Sequence, residues 1–233
     1  MQLPGVETQV FEDAKAVAEA AAERIMQLGR AAVAERGWFN LVLAGGTTPE
    51  AAYRLLAQTH QDWSGWRFFV GDERCLPVDD PQRNSRMALN SWLEPAGIHP
   101  SQLAAIPAEL GPEAAASAYA PVVAEALPFD LVLLGMGEDG HTASLFPGLA
   151  SDRELSGPDL VVPVRDAPKP PPDRVSLTAG ALGACRQMLL LVTGAGKHHA
   201  LEQWQQGAAL PVARVAAAGS ALIMLDQSAE TGA

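Results

Sequence analysis

Phe129-Asp130-Leu131-Val132-Leu133-Leu134 runs directly into Gly135-Met136-Gly137-Glu138-Asp139-Gly140-His141-Thr142-Ala143-Ser144-Leu145-Phe146-Pro147-Gly148. A short apolar run that ends in a glycine-rich, charged turn reads as a strand buried on both faces, the habit of parallel sheets. The same unit recurs along the chain. Strands are expected at 39–44, 67–70, 188–192 and 221–225, with another at 161–164. Helices are expected at 14–35 (closed by Gly37), 51–58, 87–93, 113–127 and 198–206. Pro121 should kink or shift the fourth of these. Such alternation predicts an α/β fold with a Rossmann-like, mostly parallel sheet flanked by helices on both faces. Residues 157–172 are rich in proline and read as a long loop, because strand and helix signals of the same kind resume after them. One domain over residues 1–233 is expected.

The composition suits that fold. Of 233 residues, 48% are apolar and 18% charged, enough for a sizeable core. Residues 1–10 carry no basic segment followed by an apolar one, and no apolar run is long enough to span a bilayer, so a cytoplasmic protein is expected. The formal net charge of −11 argues against nucleic acid and anionic membranes as partners. It also constrains any phosphate-bearing ligand, which must be held by a local cluster of donors and cations against the global field. Cys75 and Cys185 are the two cysteines; they form neither a disulfide framework nor a metal-ligand cluster, and reduced thiols are expected. No His/Cys/carboxylate set shows metal-ligand spacing, so no metal or other cofactor is expected.

Ligands of open parallel sheets bind at the carboxyl ends of the strands. Here four strands are each followed at once by a Gly-rich polar loop. In Ala44-Gly45-Gly46-Thr47-Thr48-Pro49-Glu50 the glycines allow a tight turn, Thr47 or Thr48 is expected to cap the next helix, and the free N–H groups there suit an anion. In Gly71-Asp72-Glu73-Arg74, Arg74 offers a bidentate grip on phosphate and Asp72 a partner for a sugar hydroxyl. Asn84 adds a polar group a little further on. In Thr193-Gly194-Ala195-Gly196-Lys197, a cation stands at a helix start, where a bound anion would offset its unfavourable interaction with the helix dipole.

The loop at 135–148 contains G-x-G-x-x-G, but two carboxylates, Glu138 and Asp139, stand inside the would-be pyrophosphate cradle, and Pro147-Gly148 cuts the following helix short. A dinucleotide site is therefore rejected. His141 in this loop is the best general base in the chain, with an ordinary pKa near ~6.5. Glu138 or Asp139 is expected to orient its ring. His60, His99, His198 and His199 lie in connecting segments or near a helix start.

In order and spacing, the segments 44–49, 71–74, 135–148, 169–178 and 191–197 resemble the glucosamine-6-phosphate isomerase/6-phosphogluconolactonase family, and the resemblance runs over nearly the whole chain. Gly-Met-Gly-Glu-Asp-Gly-His-Thr-Ala-Ser-Leu-Phe-Pro-Gly is its most specific stretch, supported by Pro-Lys-Pro-Pro-Pro-Asp-Arg-Val-Ser-Leu-Thr. The resemblance implies a fold shared with glucosamine-6-phosphate deaminase and, more distantly, ribose-5-phosphate isomerase. It implies hydrolysis of 6-phospho-D-glucono-1,5-lactone to 6-phosphogluconate, in the oxidative pentose phosphate pathway; metal-free action by a monomer or small homo-oligomer is expected. Carried over by motif, His141 is the base. Gly45, Gly46, Thr47, Arg74 and Lys197 hold the phosphate, Asp72 lies near the sugar, and Arg174 is a further substrate contact. Ala44 stands where many members have Ser, and Arg83-Asn84 where Ser-Asn is common.

Two rivals remain within sugar-phosphate chemistry. A deaminase-like isomerase would resemble proteins with Tyr at the place of Arg74 and a Glu shortly after the Asp-Gly-His motif; neither is present. A non-catalytic sugar-phosphate-binding module would normally be joined to a DNA-binding segment, and this chain has no basic helix-turn-helix candidate.

Overall fold

Leu131 and Leu133 pack with one hydrophobic cluster, and Val132 and Leu134 with another. That alternation explains the uninterrupted apolar run: a strand covered on both faces has no solvent side on which to place polar residues. The computed structural model describes residues 2–233; the first residue of the expected 1–233 unit lies outside them.

In chain order the elements are β1 (Glu7–Phe11), α1 (Ala14–Arg36), β2 (Phe39–Leu43), α2 (Thr47–Ala57), β3 (Trp66–Val70), β4 (Asp72–Arg74), α3 (Asn84–Ala88), β5 (Leu103–Ala104), α4 (Pro112–Ala126), β6 (Phe129–Gly135), α5 (Asp152–Ser156), β7 (Val161–Val164), β8 (Arg174–Leu177), α6 (Ala179–Gly183), β9 (Cys185–Val192), α7 (His198–Gln205), α8 (Pro211–Ala217), β10 (Ala221–Asp226) and α9 (Gln227–Thr231). Seven strands form a parallel sheet in the order β1-β10-β9-β6-β2-β3-β5. One face is covered by α1, α2 and the aromatic group Tyr53, Trp63, Trp66 and Trp92. The other is covered by α4, α6, α7 and α8. No helix among the described residues is long and apolar enough to cross a membrane.

From β2 the chain moves outward through β3 to β5, then returns to β6 on the opposite side of β2 and moves the other way to β9 and β10. This reversal is the topological switch point at which open α/β sheets bind ligands. The four strands followed by glycine-rich turns, β9, β6, β2 and β3, are neighbours around it.

Several local expectations are corrected. The segment 72–74 is a strand, not a loop: β4 pairs antiparallel with β8, which pairs with β7, making a second, three-stranded sheet. The proline-rich stretch thus carries one strand and leads into another. β1 went unread because it is largely exposed at the sheet edge and lacks an apolar run. α4 does span Pro121, as the expected helix did; both Pro121 and Ser117 are exposed, so the Ser117 carbonyl freed by the missing N–H can bond water. The helix expected at 87–93 begins at Asn84 and ends in a π-helical turn over Leu89–Leu93.

Candidate active site

A cleft of about 400 Å³ opens at the carboxyl ends of these four strands. Gly45, Gly46, Thr47, Asp72, Arg74, His141, Arg174 and Lys197 all line it, and so do Asn84, Lys169 and Thr193. Arg74, Lys169, Arg174 and Lys197 face a single lining carboxylate, Asp72. A strongly acidic chain thus presents a local cationic cluster, as binding of an anion requires.

At the end of β2, α2 begins at Thr47, four residues before the expected start. The expectation that Thr47 or Thr48 caps it is corrected. Gly46 occupies the cap position with φ 109° and ψ 163°, a conformation unfavourable to threonine, and no side chain caps the helix. The N–H groups of the first turn are therefore left for a ligand. Glu50 does not complete a capping box; it accepts a hydrogen bond from Arg54 at 2.6 Å. The Thr48 hydroxyl instead bonds that of Thr193 at 2.6 Å, tying the first loop to the fourth. Gly45 is packed so tightly that an added Cβ would lie 2.1 Å from Asn84 Oδ1.

In β4, buried Asp72 accepts from Asn84 Nδ2 at 3.0 Å and from Ser144 Oγ at 2.6 Å. A carboxylate has room for further bonds beyond these two. Fully buried Glu73 accepts from the backbone N–H groups of Arg74 (2.9 Å), Asn84 (2.7 Å) and Ser85 (2.8 Å), which fixes the start of α3 against β4. Arg74 donates to the Gln82 carbonyl. Neighbouring Cys75 does not line the cleft, and burial, then Asp173, pushes its thiol up to about 11, so it is protonated at neutral pH.

After β6 the chain closes a tight turn. Gly137 N donates to His141 O at 2.8 Å and Gly140 N to Gly137 O at 3.0 Å. His141 Nδ1 is hydrogen-bonded to Asp139 Oδ1, and the ring packs on Phe146 with centroids 4.5 Å apart. Of the two candidate orienting carboxylates, Asp139 is the one on the imidazole. Glu138 turns away: it lies against Gly196 and pulls the Lys197 ammonium pKa upward, partly opposing the burial that lowers it. Burial pushes the His141 pKa below its usual value, and Asp139 only partly restores it. Asp139 itself is lowered: burial raises it, but the bond and charge of His141 outweigh that, with Lys169 assisting. The imidazole is therefore neutral at pH 7, the form a general base needs.

After β9, Gly194 (φ 92°) turns the chain into a short 3₁₀ turn that ends at Lys197, and α7 follows. Both carboxylate oxygens of Asp226, at the end of β10, accept from Gly194 N at 3.0 Å and pin this loop.

Arg174 is buried and lies over the Phe146 ring at 5.4 Å. It donates to the carbonyls of Pro171 (3.1 Å), Lys169 (2.9 Å) and Pro170 (3.2 Å), so it holds the proline loop as well as lining the cleft. Lys169, which the sequence reading did not single out, brings Nζ to 3.9 Å from Asp139 Oδ1. Its signal was its place in the proline motif, but which atoms it reaches depends on the Arg174 clamp. His60, His99, His198 and His199 do not line the cleft. Among the described residues, no group of three or more His, Cys, Asp or Glu could hold a metal ion.

The glucosamine-6-phosphate isomerases/6-phosphogluconolactonase family matches residues 12–224. The chain is 39% identical over 240 residues to the 6-phosphogluconolactonase of Mycobacterium leprae, covering 95% of this chain and 96% of that one. The structure of 6-phosphogluconolactonase from Trypanosoma brucei superposes with a TM-score of 0.87 at 27% identity, covering 98% of both chains. A monomeric glucosamine-6-phosphate deaminase superposes with a TM-score of 0.83 at 21% identity over 98% of this chain and 100% of its own, a likeness of fold alone. With its motifs gathered around one cleft at the switch point of a parallel sheet, the chain belongs to the glucosamine-6-phosphate isomerase/6-phosphogluconolactonase family.

Proposed function

We propose that the chain hydrolyses 6-phospho-D-glucono-1,5-lactone to 6-phosphogluconate, with His141 as general base and without a metal ion. The observation that carries this reading is an imidazole hydrogen-bonded to Asp139 in the same cleft as an uncapped helix start and a cluster of cations. The first arrangement suits activation of water; the second suits a phosphate at the far end of a sugar. The 6-phosphogluconolactonases to which the chain is similar support the same substrate.

In this mechanism the Gly45-Gly46-Thr47 turn, Arg74 and Lys197 hold the phosphate. Asp72, steadied by Asn84 and Ser144, accepts from a sugar hydroxyl. Binding energy from the phosphate end places C1 beside His141 and lowers the entropic cost of attack. Asp139 holds Nδ1 as the protonated nitrogen, which leaves Nε2 free to take a proton from water as its oxygen adds to C1. The imidazolium then returns that proton to the ring oxygen as the C1–O5 bond breaks.

The test is acid release from freshly generated 6-phosphogluconolactone, measured above the spontaneous rate with and without chelator. Fast, chelator-insensitive hydrolysis is expected. No acceleration over the spontaneous rate would overturn the assignment, and loss of activity with chelator would overturn its metal-free form.

A further inference from the structure

Hydrolysis creates charge at C1: an oxyanion in the tetrahedral intermediate, then a carboxylate in the product. Several donors of the His141 turn are already committed elsewhere. The N–H groups of Gly137, Gly140 and His141 are already donated to His141 O, Gly137 O and Asp139 Oδ1, at 2.8, 3.0 and 3.3 Å. The Thr142 hydroxyl is likewise donated, to Gly135 O at 2.8 Å.

Resting on the lactonase reading, we propose that Lys169 is the catalytic residue that stabilises the negative charge developing at C1 and that binds the carboxylate of the product. Three observations carry this. First, its ammonium stands beside the His141–Asp139 pair, 3.9 Å from Asp139 Oδ1, whereas the other cleft lysine, Lys197, belongs to the loop after β9. Second, 3.9 Å is an ion pair too long for a hydrogen bond, so the ammonium protons remain available to a ligand; the side chain is 47% exposed in the cleft. Third, its backbone is not a loose surface loop. Arg174 grips the carbonyls of Lys169, Pro170 and Pro171 and stacks on Phe146, the ring against which His141 packs. The proline loop and the His141 turn are thereby held in one register.

The step balances without a co-reactant. Water oxygen bonds to C1, its proton passes to His141 Nε2, and the carbonyl π pair becomes the oxyanion facing Lys169. The oxyanion collapses, the C1–O5 bond breaks, O5 takes the proton from His141, and the new carboxyl group ionises to a carboxylate. Lys169 meets a neutral carbonyl in the bound lactone and an anion in the transition state, so its contribution appears in kcat.

The experiment compares wild type with full-length Lys169→Met and Lys169→Arg. Wild type must first hydrolyse the lactone above the spontaneous rate; its failure to do so would overturn the lactonase reading and this inference with it. Given an active wild type, Lys169→Met is expected to lower kcat by ~10²–10³-fold, as for loss of one transition-state donor. KM should change by less than about threefold, the mark of an interaction made mainly in the transition state. The same variant should weaken 6-phosphogluconate by about tenfold, as loss of one charge-assisted contact implies, while glucose 6-phosphate, which has the phosphate and no carboxylate, binds as before. The acid limb of the pH–rate profile should move up, because Lys169 helps hold the His141 pKa down. Lys169→Arg should recover much of kcat. Unchanged kcat in Lys169→Met, or equal weakening of both ligands, would overturn the inference while leaving the lactonase reading intact; equal weakening would make Lys169 a phosphate ligand.

Discussion

Asp139 reaches forward two residues to hold Nδ1 of His141, within a turn whose backbone bonds run from Gly137 to His141 and from Gly140 to Gly137. The imidazole and the carboxylate bonded to it therefore belong to one hydrogen-bonded turn. His141→Ala should lower kcat by ~10²–10⁴, the usual range for a general base. Binding of 6-phosphogluconate should change little, because the proposed phosphate contacts lie elsewhere. Steady-state turnover and product titration check both halves, and near-wild-type turnover would remove His141 from the mechanism.

The pH profile follows from the same pair. Burial disfavours the imidazolium, so the His141 pKa lies below its usual ~6.5. The active neutral form persists below that usual value, and kcat/KM should fall only as pH drops through the lowered pKa. Asp139→Asn removes a carboxylate that raises the His141 pKa, so the acid limb should move to still lower pH while kcat falls. An acid limb moving upward in that variant would contradict the pairing.

Gly137 should not tolerate a side chain. A Cβ there would lie 2.0 Å from imidazole Nδ1 and 2.5 Å from Asp139 Oδ1. Gly137→Ala must displace the imidazole, and for a catalytic group a shift of about 1 Å costs roughly 10²-fold in rate. Turnover alongside a thermal melt separates this local effect from loss of fold; full activity would show that the ring sits elsewhere.

The cradle should act mainly on binding. Lys197→Ala is expected to raise KM by ~10–100-fold, since a hydrogen bond to a charged group is worth about 1.5–3 kcal/mol. Its effect should weaken glucose 6-phosphate and 6-phosphogluconate alike, the reverse of the selectivity expected for Lys169→Met. A purely kcat effect would move Lys197 from the phosphate to the reacting end.

Glu73 is a matter of stability. Its buried carboxylate accepts from three backbone N–H groups and lies 3.5 Å from buried Arg83 Nε. Glu73→Ala leaves those donors and that cation without it, and breaking such a buried pair costs roughly 3–5 kcal/mol. Denaturant unfolding should show a lowered midpoint. A loss below about 1 kcal/mol, the scale of an exposed pair, would mean that water replaces the carboxylate.

Much of the fold was legible because strands covered on both faces must be apolar throughout, and β2, β3, β6 and β9 say so directly. β1 and β8 were harder. β1 is a largely exposed edge strand, and β8 is four residues long behind a proline run, so neither carries the apolar signature. At the site, His141 announced itself by its glycine-rich setting. The cap of α2 was misread because Gly46 and the threonines both satisfy a cap pattern, and only the backbone conformation chooses between them.

The amino-acid order alone determined the α/β class, the four turns at strand ends, and a histidine beside two carboxylates in one of them. These follow from local composition: apolar runs must be buried, and glycines must turn. The tertiary structure decided which carboxylate is hydrogen-bonded to the imidazole, that Ser144 reaches Asp72 across 72 residues, and that Lys169 arrives beside Asp139. Contacts of that kind depend on strand order and on the small antiparallel sheet of β4, β8 and β7, which brings distant segments together and leaves no mark on the spacing of residues along the chain.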